Sequence, residues 1–253
     1  MRHWIPCFLL TLAMALPAAS ARAAAPLLTD ISSHLVSVTS SFTGTDLLIF
    51  GAIDTVPDAP RGDIVIVVRG PAQDVVVRRK ERVAGIWVNS TAFTFKSLPG
   101  FYAVAASAPL AEILSASQAR RLEVGSENLR FTPEKGLGDP EAPLFKTALI
   151  RNRLRDGLFS RETATVSFLG GTLFRANIHI PANVPVGSYT ASIYLFRDGD
   201  IIEGQTTSLL IQKFGVGRTI FDFAHDQPFF YALIAVLLAL LSGWAAALFF
   251  RRD

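Results

Sequence analysis

Asp63-Ile64-Val65-Ile66-Val67-Val68-Arg69 is the stretch on which the fold turns. Its inner residues are all β-branched, stiff at χ1 and well suited to a pleated surface. A run without polar alternation predicts a central strand covered on both faces. Gly70-Pro71 ends it, because glycine permits a turn and proline cannot donate to a ladder. Shorter runs of the same kind flank it: His34–Ser40 and Asp46–Ile53 before, and Asp74–Lys80, Val83–Asn89, Ala92–Lys96 and Phe101–Ala106 after. Separated by Gly, Pro, Asp and Ser, they predict an N-terminal β-sandwich domain over residues 24–108.

The character changes over residues 109–161. Pro109–Leu122 and Glu141–Phe159 carry good helix formers on either side of Lys135-Gly-Leu-Gly-Asp-Pro140, which predicts a helical connecting segment. Its second helix is basic, with Lys146, Arg151, Arg153, Arg155 and Arg161. Thr163–Phe168, Thr172–Ile180, Ser188–Arg197 and Ile201–Lys213 predict a second β-rich block over 162–214, and Asp198-Gly199 signals a hairpin between its last two runs. The loop Pro181–Gly187, the following Ser188-Tyr189 and this Asp-Gly turn resemble the closing strands of an immunoglobulin-like sandwich. The fold class read from the chain is therefore mainly β: two β-sandwich (immunoglobulin-like) blocks joined by a short helical segment, plus one C-terminal transmembrane helix.

That helix is predicted over 228–250. Phe229–Phe250 holds no charge, and at about 1.5 Å per residue it is long enough to cross a hydrocarbon core of about 30 Å. A juxtamembrane linker at 215–227 precedes it, with Phe221 and Phe223 able to lie in the interface. Arg251-Arg252-Asp253 reads as a cytoplasmic tail by the positive-inside rule, which turns the N-terminal domain outward. Residues 1–23, with Arg2, an apolar stretch from Ile5 to Ala19 and the box Ala21-Arg22-Ala23, read as a cleaved signal peptide. A retained anchor is the alternative, against which Pro17 and the small residues after it count. The expected location is the bacterial inner membrane, single-pass, with the N-terminal domain periplasmic.

The formal charge of +3 invites a nucleic-acid reading until the charges are assigned to compartments. Removing Arg2, Arg22, Arg251 and Arg252 from 24 basic residues, and Asp253 from 21 acidic ones, leaves 20 of each in the outer region. With no net field to gather polyanions, no nucleic-acid partner is expected. The one cysteine, Cys7, lies in the signal segment, so the mature chain is expected to lack disulfides, thiolate metal sites and cysteine nucleophiles.

Few side chains form a chemical constellation. His34, His179 and His225 lie far apart in sequence, without metal-ligand spacing, and Asp54, Asp58 and Asp63, like Asp198, Asp200 and Glu203, read as turn residues before calcium ligands. Neither a nucleophile elbow, a Ser-x-x-Lys pattern nor a phosphate loop is present, so catalytic residues, cofactors and metals are all expected to be none. In the spanning helix, Ala235, Ala239, Gly243 and Ala247 recur at every fourth position, flanked by Ala232, Ser242 and Ala246. Such a row lets another helix backbone approach closely and reads as a packing seam, although alanine is common in these helices. Arg78, Arg79, Lys80 and Arg82 form the densest basic patch outside the membrane, read first as a solvated strand face and alternatively as an anion or lipid-headgroup contact. Trp87 in Gly85–Asn89 reads as core, because its neighbours alternate as in a buried strand.

Several blocks carry a resemblance. Phe42–Ile53, Val68-Arg-Gly-Pro71, Arg78–Asn89 and Pro99-Gly-Phe-Tyr-Ala-Val104 resemble the signature blocks of the alphaproteobacterial putative transmembrane protein family. The resemblance runs nearly the full length and implies a signal, a β-rich outer region and a single terminal helix. It carries over no catalytic residue. The frequent place of such members beside a permease resembling sulfite or taurine exporters implies an accessory role.

Three functional classes follow. The leading one is a non-enzymatic, periplasm-facing accessory subunit of a polytopic inner-membrane protein, such as an exporter-type permease, or of a second copy of itself. The second is a membrane-tethered module that binds a ligand or an envelope surface. The third is a hydrolase whose pocket gathers distant acids or His179.

Overall fold

The computed structural model describes residues 27–38, 42–54, 60–134, 136, 138–213 and 216–250; the expected signal segment with Cys7 and the expected tail at 251–253 lie outside them. The strands are β1 (Leu27–Ile31), β2 (Leu35–Val38), β3 (Gly44–Ile53), β4 (Asp63–Arg69), β5 (Ala72–Val83), β6 (Ile86–Pro99), β7 (Tyr102–Ala106), β8 (Thr132–Pro133), β9 (Ala164–Leu169), β10 (Leu173–Pro181), β11 (Gly187–Arg197) and β12 (Asp200–Lys213). The helices are α1 (Leu110–Ile113), α2 (Ala116–Leu122), α3 (Ala142–Arg155), α4 (Val216–Asp226) and α5 (Pro228–Phe250). The chain is mainly β, as its sequence predicts.

Strand β4 is buried on both faces. Ile64, Ile66 and Val68 enter one apolar cluster and Val65 and Val67 a second. Each such side chain, fully buried, contributes about 1.5–3 kcal/mol of transfer free energy, which makes β4 the shared wall of two cores. It sits in a nine-stranded sheet of order β1-β3-β10-β9-β7-β4-β11-β12-β2. The sheet curls on itself, so that β1, β3, β10 and β9 face the remaining strands across the first core. Its ends are drawn together by Gln205 of β12, whose side-chain oxygen accepts from the Thr29 N–H at 3.1 Å and the Thr29 hydroxyl at 3.0 Å, while its amide donates to the Leu27 carbonyl.

The two β blocks seen in sequence do not keep separate sheets. Strand β3 pairs with β10 from Ala52↔Leu173 to Gly44↔Pro181, and β4 pairs with β11 from Arg69↔Thr190 to Asp63↔Phe196. Alternation along a strand fixes which face is apolar but not which strand lies beside it. Pairing between the blocks lets both of them build the first core together, in place of a separate small one in each.

The closing hairpin follows its sequence signals. Asp198 and Gly199 both take positive φ, 52° and 83°, as the tight turn between β11 and β12 requires. Just upstream, the Tyr189 hydroxyl donates to the Pro185 carbonyl at 2.6 Å from a fully buried ring. A tyrosine tied to backbone a few residues back makes the same kind of contact as the tyrosine corner of Greek-key sandwiches.

The second core lies on the outer side of β4, β7 and β11, under the β5–β6 hairpin and the connecting helices. Phe93, Phe95, Phe145 and Phe159 fill it, with Phe93 stacked on Phe145 at 5.1 Å and tilted against Phe95 at 5.0 Å. The expected single helix at 109–122 is interrupted at Ser115, whose hydroxyl accepts from the Gln118 N–H while the Gln118 side chain accepts from the Ser115 N–H at 2.7 Å. This capping box starts α2 afresh. Helix α3 ends before Gly157, which takes φ 72°, and Phe159 returns to bridge Tyr102 of β7. Where a linker is expected at 215–227, Val216–Asp226 forms α4, because apolar side chains recur there at helical spacing.

Candidate functional site

Helix α5 carries the first candidate surface. One window, Pro228–Ala247, is long and apolar enough to cross a membrane, and no part of it is buried by the rest of the chain. A helix that is apolar all round and unburied needs hydrocarbon or another helix around it. Ala232, Ala235, Ala239, Ser242, Gly243, Ala246 and Ala247 are all exposed. Around Gly243 nothing lies within 4 Å of where a Cβ would stand. The Ser242 hydroxyl donates back to the Leu238 carbonyl at 2.8 Å, which satisfies it inside the helix. Leu240, Leu241 and Trp244 are exposed as well.

Before α5 in the chain, α4 presents exposed Ile220 and Phe221, with the Phe221 ring stacked on His225 at 4.0 Å. Phe223 meets Tyr231 edge-on at 6.4 Å, which ties α4 to the start of α5.

The basic patch divides. Arg79 points to the body, where it meets Glu81 at 2.9 Å, Glu141 at 3.0 Å and the Thr91 hydroxyl at 3.3 Å. The hydrogen bond to Glu141, then that to Glu81, holds its guanidinium above the ordinary value. Arg79 therefore fastens the start of α3 to the hairpin. Arg78, Lys80 and Arg82 lie on the opposite face of β5, exposed, and among the described residues they form no ion pair.

Trp87 is not core. It is 66 % exposed near the tip of the β5–β6 hairpin, directly across from Arg82. The strand expected at Val83–Asn89 is broken near its start by the hairpin's turn, with Ala84 and Gly85 at φ 49° and 85°, so that Val83 ends β5 and Ile86–Asn89 opens β6. Alternation around Trp87 marks a strand, but the hairpin outruns the body that would cover it. Ala-Gly is a weaker turn signal than Asn-Gly, so the sequence does not announce this tip.

A further surface went unread in sequence. Leu28, Ala52, Leu173 and Leu169 are neighbours across β1, β3, β10 and β9, all on the outer side of the sheet. With Phe50 they line an open groove of about 620 Å³, edged by Asp30 and Arg175. Consecutive apolar pairs such as Leu27-Leu28 were its only signal in the sequence.

The acids and histidines stay dispersed. His34 pairs with Asp30 at 3.1 Å and His179 with Asp46 at 2.8 Å, both at the surface. Among the described residues no group of three or more His, Cys, Asp or Glu stands close enough to hold a metal ion.

No curated protein matches the chain in sequence. A family model does, over residues 26–252, a span that includes the curled sheet, the hairpin and α5 together. The chain belongs to the family described as Putative transmembrane protein (Alph_Pro_TM).

Proposed function

We propose that this protein is a non-enzymatic accessory subunit, facing the periplasm, whose α5 packs against a polytopic inner-membrane protein of the exporter type. The observation that carries the reading is α5 itself, apolar on every side, unburied, and marked on one side by Ala235, Ala239, Gly243 and Ala247. Small residues at that spacing let a neighbouring backbone approach closely, and van der Waals packing then holds the helices together. The β body is free to cover or organise the outer side of that neighbour.

The test is purification of the full-length protein from its native membrane in mild detergent, beside a copy carrying an unrelated spanning helix. A permease recovered with the native helix alone, and lost on Gly243→Leu with Ala239→Leu, supports the reading. Equal recovery with either helix, or none with both, overturns it.

The groove beside Phe50 favours a second reading, a tethered module that binds an apolar ligand or surface. In that case the foreign helix leaves function intact, while Leu173→Asp abolishes it.

A further inference from the structure

The β5–β6 hairpin projects past its own core. Its last buried cross-strand pair is Val77 with Phe93, and six residues of β5 follow before the turn at Ala84-Gly85. Beyond that pair, one face carries Arg78, Lys80 and Arg82 in a column, with Trp87 across from Arg82. The other face carries Val83 paired with Ile86, and Val88 paired with Glu81. Exposure reaches 56 % for Val83 and 69 % for Ile86 at a place where soluble hairpins carry polar turn residues.

We propose that this tip enters an anionic phospholipid surface, with Val83, Ile86, Trp87 and Val88 at the boundary of headgroups and acyl chains and Arg78, Lys80 and Arg82 on lipid phosphates. Indole suits that boundary, being apolar with one polar edge, and arginine and lysine stems lie along apolar surface while their charges stay wet. Two observations favour lipid over a protein partner. Apolar side chains stand on both faces of the tip, so a docking groove would cover one face and a bilayer surrounds both. Glu81, the nearby acid, is already held by Arg79 at 2.9 Å, so the charge left free at the tip is positive.

The tether brings the surface within reach. Between Lys213 of β12 and Pro228 of α5 the chain is mostly α4, whose 11 residues rise about 16 Å. The six residues of β5 beyond Val77 span about 20 Å, comparable with that rise. The inference holds whichever protein lies beside α5.

The test uses the full chain with Trp4→Phe and Trp244→Phe, which leaves Trp87 as the single indole. It is reconstituted in vesicles of phosphatidylcholine alone or mixed with phosphatidylglycerol, some with brominated acyl chains. The expected result in anionic vesicles is a blue-shifted Trp87 emission that brominated lipid quenches. Each cation near an anionic surface is worth about fivefold in the equilibrium, so Arg78→Ser with Lys80→Ser and Arg82→Ser should lose the shift, as should raised salt. Thermal melts unchanged by these exposed substitutions exclude misfolding. Emission that is unshifted and unquenched in anionic vesicles overturns the proposal. So does an equal shift in vesicles of phosphatidylcholine alone, which would take the lipid phosphate charge out of the recognition.

Discussion

The hydroxyl of Tyr102 accepts the Gly125 N–H at 2.8 Å and donates to the Glu123 carbonyl at 2.7 Å, so one side chain of β7 holds both sides of the turn after α2. Burial pushes this phenol well above its ordinary pKa. Tyr102→Phe keeps the ring and strips a partly buried N–H and C=O of their partner, which costs about 1–3 kcal/mol. Urea denaturation of the full chain in detergent should show the loss, with little change in the slope against urea.

Gly51 of β3 has no room for a side chain. A Cβ there would meet the Phe174 ring at 2.7 Å and the Leu28 backbone. Gly51→Ala must displace a strand or turn a buried ring, at about 1–3 kcal/mol, and the same denaturation series checks it. Gly85→Ala meets nothing within 4 Å, but its φ of 85° still strains the added side chain. The loss there should be smaller than at Gly51.

The N-cap of α2 is open to a direct test. Ser115→Ala removes the capping box that restarts the helix, for a loss of about 0.5–2 kcal/mol. Ser115→Asp restores the acceptor and should recover most of it. Amide exchange at Gln118, bonded to the Ser115 oxygen at 3.3 Å, should follow the same order.

Lys96 on β6 and Glu134 after β8 meet at 3.0 Å and fix the short strand to the hairpin. The hydrogen bond from Lys96 lowers the Glu134 pKa, and that from Glu134 raises the Lys96 pKa. The depressed carboxylate contributes stability that is present above its unfolded pKa and lost as pH falls through the folded one. The raised ammonium contributes below its unfolded pKa and loses it as pH rises through the folded one. Between these limits stability should be flat. Glu134→Gln should weaken the acid-side fall in a melting series against pH, and salt should shrink the difference, because the pair is exposed.

What was legible in the sequence was local. Strand β4 announced its double burial through Ile64–Val68, the β11–β12 turn through Asp198-Gly199, and α5 through its length and lack of charge. What was hidden depends on partners distant in the chain. Leu27–Ile31 holds a Thr-Asp pair that masks its strand character, and only β3 beside it and Gln205 across from it make it one. Trp87 sits in a good strand pattern whose covering layer is missing. Arg79 looked like its three basic neighbours until α3 brought Glu141 to it. The groove at Phe50 exists because four strands from both halves of the chain align their outer leucines.

The interleaved order of the nine-stranded sheet also sets when it can form. Strand β3 has β1 on one edge but gains its second neighbour only once β10 has been made, β4 with β7 on one side must wait for β11 on the other, and β2 waits for the far end of β12. Long-range pairing of this kind is slow, because loop closure must precede the contacts that reward it. Strand β12 is followed by α4 and then at once by α5. The early strands thus remain open until the ribosome has nearly reached the membrane helix, so the body closes at about the time its anchor is delivered. An unfinished chain would expose the inner faces of β3 and β4 throughout that interval, and whatever attends its synthesis must shield them until the last strand arrives.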